Sequence, residues 1–352
     1  MSQTPEKSNG SIANADPQAS PAVDVEEESR LGADLTRKGM LQEALPHLLL
    51  AQSGHANQYA TAMNLGICYL GTGRYKQAIV TLEALRSSGI RAAAVNNLLA
   101  QAYIGDGEPQ RAWAAFAEAI SLTPRDEKLY AFVADACTDH QNYQLGLRVT
   151  EGGLQQLPDS ARLHYERAIF LGRLDRLEEA RPEFERAAAL AHGTYITYLA
   201  EVQEDLYDDK YSEAIRLLRE GIKAERQTES TRGPVNYQMS SLLGTVLMKE
   251  GAAPGQPEFV EAREALEESA QARPDYSATQ IALGKLYGME GRFADAVEHL
   301  EVGRRLEPNN PEVYANLSHA YLRLGDRARA RQCQAELARL LDEKKSSPPL
   351  SK

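Results

Sequence analysis

Small residues return along this chain at an interval too long for a single helix or strand. Counting from Ala44, the positions Ala78, Ala112, Gly146, Ala180 and Ala214 follow 34 residues apart. Ala262, Ala296 and Ala330 resume that spacing after one interval of 48. A second small position falls twelve residues earlier, at Gly32, Gly66, Ala100, Ala134, Ala168, Gly284 and Ser318. A third falls seven residues later, at Ala51, Ala119, Gly153, Ala187, Gly221 and Gly303. Between them the apolar residues keep a helical period. Small residues at fixed offsets let two antiparallel helices approach closely while larger ones fill the space around them. The pattern therefore predicts about nine helix pairs stacked into an all-α solenoid.

The turn residues support the same division. Gly39, Gly73, Gly107, Gly251, Gly291 and Gly325 stand where each first helix must stop, a position suited to a left-handed cap. Pro124, Pro158, Pro274 and Pro308 close the second helices. The boundaries that follow are a disordered tail over 1–24, six contiguous units over 25–228, an insertion over 229–236, three units over 237–344 and a second tail over 345–352. The first of the three later units has a lengthened turn at 251–259. Both extra segments read as surface loops or, alternatively, as a joint between two arrays. In the sixth unit Glu201 takes a position that is usually apolar, and Arg167 holds the equivalent position one unit earlier, so the two are expected to pair.

Composition narrows the chemistry. The chain of 352 residues is 43% hydrophobic and carries a formal charge of −11, with no Lys/Arg block, which disfavours nucleic acid and anionic membranes as partners. Cys68, Cys137 and Cys333 are widely separated and read as core fillers rather than metal ligands or a disulfide framework. No run is apolar enough for a membrane helix, and the first residues lack a secretory pattern. The expected compartment is the cytoplasm, or an exported one if a leader has been removed. Phosphate-loop, dinucleotide, zinc-protease and nucleophile-elbow patterns are missing, so no catalytic residue, metal or cofactor is assigned. An enzyme would need a pocket of convergent titratable groups, which is not expected.

NLGICYLGTGRYKQAI, ALGKLYGMEGRFADAVEHLEVGRRLEPNN and NLSHAYLRLGDRARA resemble tetratricopeptide repeats in residue type and spacing, and the likeness runs from residue 25 to about 344. The resemblance implies a right-handed superhelix whose first helices line a concave groove for a peptide or helical segment of another protein. Carried over position by position, it places Asn64, Asn97, Gln101, Phe132, Asp135, Tyr165 and Arg173 in that groove. In the last three units Lys249, Lys285, Asn316, His319 and Arg323 would face it and could receive an acidic ligand. The family's carboxylate clamp is not matched, because Ser29, Ala33, Met63 and Ile67 stand where it needs Lys and Asn. The leading reading is a non-enzymatic scaffold or adaptor for protein partners. The alternative is an assembly subunit that oligomerises or docks to a cell-envelope complex, its last helix carrying Leu337, Leu340 and Leu341 without a cap.

Overall fold

The computed structural model describes residues 24–55, 57–90, 92–227 and 236–346. Among them the chain forms eighteen α-helices and no strand. In order these are α1 (Val25–Arg37), α2 (Leu41–Ser53), α3 (Gln58–Gly71), α4 (Tyr75–Ser87), α5 (Ala93–Gly105), α6 (Pro109–Leu122), α7 (Glu127–Asp139), α8 (Tyr143–Gln156) and α9 (Ala161–Arg173). They continue as α10 (Leu177–Ala191), α11 (Tyr195–Tyr207), α12 (Tyr211–Gln227), α13 (Tyr237–Glu250), α14 (Pro257–Ala272), α15 (Ser277–Met289), α16 (Phe293–Leu306), α17 (Pro311–Arg323) and α18 (Arg327–Ser346). Each odd helix packs on the even helix after it, and successive pairs stack into an all-α solenoid.

Local chemistry explains the boundaries. Gly39, Gly73, Gly107, Gly291 and Gly325 all adopt φ between 70° and 82°, the left-handed turn that ends each first helix. Asp24, Asp126, Ser160, Asn236 and Asn310 accept hydrogen bonds from backbone N–H groups of the helices they precede. Pro109, Pro257 and Pro311 begin helices, where a missing N–H costs nothing.

The alanines spaced by 34 residues lie at the centre of the stack. Ala44, Ala78, Ala112, Ala180, Ala214, Ala262, Ala296 and Ala330 are all fully buried. Packing is also tight at the glycine of α13. A Cβ on Gly244 would lie 2.7 Å from the Ala262 carbonyl oxygen, an atom of helix backbone that cannot step aside. Gly244→Ala is therefore expected to lower stability by about 1–2 kcal/mol, read by urea unfolding. An unchanged midpoint would mean that α13 and α14 have room to separate.

The insertion expected over 229–236 lies outside the described residues except for Asn236, as do residues 1–23 of the N-terminal tail and residues 347–352. On either side of that insertion α12 and α13 pack as other neighbouring helices do. The lengthened turn runs from Gly251, a left-handed cap, to the start of α14. Cys68, Cys137 and Cys333 are buried with free thiols.

One expected contact is corrected. Arg167 pairs with Glu183 on α10 rather than with Glu201, which is exposed. An even helix packs directly on the odd helix before it, so Glu183 of the same unit reaches Arg167 before a residue of the next unit does.

Candidate partner-binding groove

The solenoid winds far enough for its later units to face its earlier ones, because a small rotation per pair accumulates along the stack. Two turns of the later units meet the earlier ones at the C-terminal end of α7 and the turn after it. They are the α14–α15 turn, Arg273–Tyr276, and the α16–α17 turn that begins at Glu307. A Cβ on Gly73 would lie 3.7 Å from the Arg305 carbonyl oxygen, which measures how closely the two halves approach.

The first turn makes the central contact. Arg273 Nη2 donates to Asp139 Oδ2 at 3.2 Å, Nε lies 3.4 Å from Asp275 Oδ1, and Nη1 donates to the Tyr237 hydroxyl. The guanidinium also lies 5.0 Å from the Tyr237 ring centre and 5.6 Å from that of Tyr276. Those two rings meet edge to face at 5.0 Å. In the second turn Glu307 accepts from Gln141 Nε2 at 3.1 Å, and also from Asn310 and Ser277 of its own half. His140, beside Asp139, meets Tyr75 edge-on at 5.1 Å.

Near the Arg273–Asp139 pair stand two more carboxylates. Asp135 accepts from Arg162 at 2.9 Å, and Glu166 is buried within the field of both pairs. With Asp275 beside Arg273, four carboxylates are thus met by two guanidinium groups. Burial pushes the Asp139 carboxyl up to about 7, against the pull of Arg273. Burial, and then the Asp135 charge, push Glu166 up as well. Burial drives the His140 imidazole down to about 4. Convergent titratable groups are therefore present, contrary to the expectation from sequence. Their matching to Arg162 and Arg273 is that of a structural ion network, with a cavity of about 110 Å³ bordered by Asp135 and Asp139 and a larger one of about 410 Å³ also bordered by Asp139.

The residues expected to line the groove are used in different ways. Phe132 is 49% exposed and, with Gln101 and Asp135, borders the small cavity beneath Arg273. Asn97 is buried, its amide donating to the Leu129 carbonyl of the next unit at 2.8 Å while its oxygen accepts from Gln101, so it ties repeats together. Tyr165 is buried against Phe184, within the electrostatic reach of Tyr276 and Tyr237. Asn64 donates to the Ala60 carbonyl on its own helix. Arg173 stands on the rim of a larger cavity, about 410 Å³, between the two halves.

That cavity also collects Lys249 and Lys285 from the expected acidic-ligand cluster, beside apolar walls from Met248, Ile281 and Tyr143. Lys285 lies 3.4 Å from Glu312. The rest of the cluster lies apart: His319 packs on Phe293, Arg323 covers the same ring at 4.5 Å, and Asn316 donates to the Glu312 carbonyl. Sequence reasoning misses Arg273, Asp139, Tyr276 and Glu307. One signal is available, since the residue before the unit-closing proline is Thr123 or Leu157 in the earlier half but charged, Arg273 or Glu307, in the later one.

Helix pairs stacked in sequence into a solenoid define a helical-repeat protein. Tetratricopeptide repeat profiles match residues 63–127, 161–186 and 289–348, and the chain belongs to the tetratricopeptide repeat family. Such arrays are generally non-catalytic scaffolds for protein interaction. No curated protein sequence matches the chain. Among solved structures it is similar to the human IFIT1 dimer with m7Gppp-AAAA, at 14% identity and a TM-score of 0.42, covering 90% of both chains. It is also similar to MamA from Desulfovibrio magneticus RS-1, at 16% identity and a TM-score of 0.33, covering 62% of this chain and 97% of that one. At these scores neither likeness bears on function. Among the described residues no helix is long and apolar enough to cross a membrane.

Proposed function

We propose that this chain is a non-enzymatic scaffold whose concave groove takes a segment of a partner protein. The observation that carries this reading is the surface beside the chain's own Arg273–Tyr276 turn, where the earlier units keep an exposed aromatic side chain next to polar ones. The mixture of exposed Phe132 with polar Gln101 and Asp135 suits such a segment, which needs both an apolar contact and hydrogen bonds. The two cavities that flank the turn, about 410 and 490 Å³, leave room for a longer segment on either side.

Site-specific photo-crosslinking in the native cell tests this reading. A crosslinker in place of Phe132, on the concave side, is expected to capture a protein partner. The same group in place of Val80, which is 70% exposed on an even helix, is expected not to capture it. Equal capture at both positions, or capture only at Val80, would place the binding surface elsewhere.

A further inference from the structure

First helices of neighbouring units lie side by side along the array, with one exception. α1 packs on α3, α3 on α5, α5 on α7, α7 on α9 and α9 on α11, and the series resumes with α13 on α15 and α15 on α17. α11 and α13 do not pack in this way. Every other join between units has two helix contacts, first helix on first helix and second helix on the next first helix. The join between units six and seven has the second alone, α12 against α13. It is therefore the weakest place in the stack against bending, and it divides the chain into two arrays, α1–α12 and α13–α18.

The seam where those arrays meet again is of a different kind from the joins. Among the described residues no helix of one array packs broadly on a helix of the other there. The bonds across it are polar, Arg273 to Asp139 at 3.2 Å and Gln141 to Glu307 at 3.1 Å. Cavities of about 110, 410 and 490 Å³ are each lined by residues of both arrays. Protein cores leave few voids larger than a water molecule, so the seam is not a continuation of the core. A contact of this kind between two parts of a chain permits relative motion, whereas a large apolar one prevents it.

We propose that the chain is a clamp in which α1–α12 and α13–α18 swing as two rigid arrays about the α12–α13 join, opening and re-forming the Arg273–Asp139 and Gln141–Glu307 contacts at the seam. The two states differ by a few polar bonds and little apolar burial, which keeps both within reach of thermal population. Phe132, Gln101 and Asp135 border the smallest seam cavity, so the open state widens the approach to them. That consequence rests on the groove reading above, while the hinge itself does not.

The test is a distance distribution on the full chain by double electron–electron resonance. One label pair crosses the seam, Lys76→Cys with Glu298→Cys. A second lies within the earlier array, Lys76→Cys with Gln155→Cys. All three positions are exposed, and the native cysteines are buried. Across the seam a longer-distance component is expected beside the closed one, and Arg273→Ala/Gln141→Ala is expected to raise the ratio of open to closed by at least about tenfold. Within the earlier array the distribution is expected to stay single and narrow in both chains.

A single seam distance that the double variant leaves unchanged would overturn the clamp. Equal broadening of both label pairs would overturn the hinge, because the solenoid would then breathe along its whole length. Should the double variant fail to fold, Gln141→Ala replaces it: Gln141 is exposed, its loss removes the bond to Glu307, and it is expected to shift the seam distribution in the same direction. Capture at Phe132 together with a rigid seam would leave the groove reading standing and remove the clamp alone.

Discussion

At about pH 8, where Asp139 is ionised, Arg273→Ala is expected to cost about 3 kcal/mol of stability and to expand the solenoid, because it removes one member of a half-buried ion pair and leaves the other behind. The Asp139 side chain is only 18% exposed, and its guanidinium partner at 3.2 Å comes from a residue 134 positions away in the chain. Removing that partner leaves Asp139 near Asp135 and Glu166 with no compensation beyond Arg162. The expected readouts are a lower urea midpoint and a larger radius of gyration in small-angle scattering, since the turn that loses its anchor also bridges the two halves. Asp139→Asn in the Arg273→Ala background is expected to restore part of the loss, because a neutral amide no longer demands a counter-charge. If Arg273→Ala has an unchanged midpoint and an unchanged scattering curve, the contact between the halves does not depend on this pair.

How much of this is legible in the sequence follows from which interactions are local. Helix pairs, their glycine turns and the buried alanines are readable because each depends on residues within about one repeat, and a period of 34 survives drift in sequence between units. Even so, position within the repeat misleads about one pairing. Arg167 and Glu201 occupy equivalent positions, but equivalence says nothing about distance, and Glu183 on the packed partner helix is closer. Asn97 shows the same limit in the groove. Its position matches a lining residue, yet its amide is used by the next unit's backbone, an acceptor that carries no sequence signature.

The contact between halves is not legible for a different reason. Whether a late unit meets an early one depends on a rotation per pair summed over several pairs, so small differences in packing decide which turns face each other. No single residue encodes that sum. The charged residues before Pro274 and Pro308 are compatible with solvated turns, and become informative only when Arg273 and Glu307 are seen opposite Asp139 and Gln141. The same distinction explains why the expected basic cluster divides. Lys249 and Lys285 lie where two halves meet, while His319 and Arg323 face a ring of their own half.

The pH dependence of stability should run against that of an ordinary salt bridge. Asp139 has a carboxyl pushed up to about 7 by burial, from an ordinary 3.8, despite the opposing pull of Arg273. Between those values the folded chain keeps a proton that the unfolded chain releases, so stability falls as pH rises through that window and levels off above it. Glu166 is shifted in the same direction by burial and contributes with the same sign. His140 works oppositely: burial lowers it from 6.5 to about 4, so the unfolded chain binds the extra proton and stability rises with pH across that lower range. The two trends offset one another between about pH 4 and 6.5, and only the carboxylates remain above it. Arg162, Asp135, Asp275 and Glu307 also face these groups and set the field in which they titrate. Stability is therefore expected to drop by on the order of 2 kcal/mol between about pH 6 and 8, each group contributing about 1.4 kcal/mol per unit where it titrates. Asp139→Asn is expected to remove roughly half of that slope in urea unfolding followed at several pH values. A slope that persists in full in Asp139→Asn would assign the titration to Glu166 or to groups outside the contact, and a rise in stability over the same range would mean that Asp139 is ionised in the folded chain.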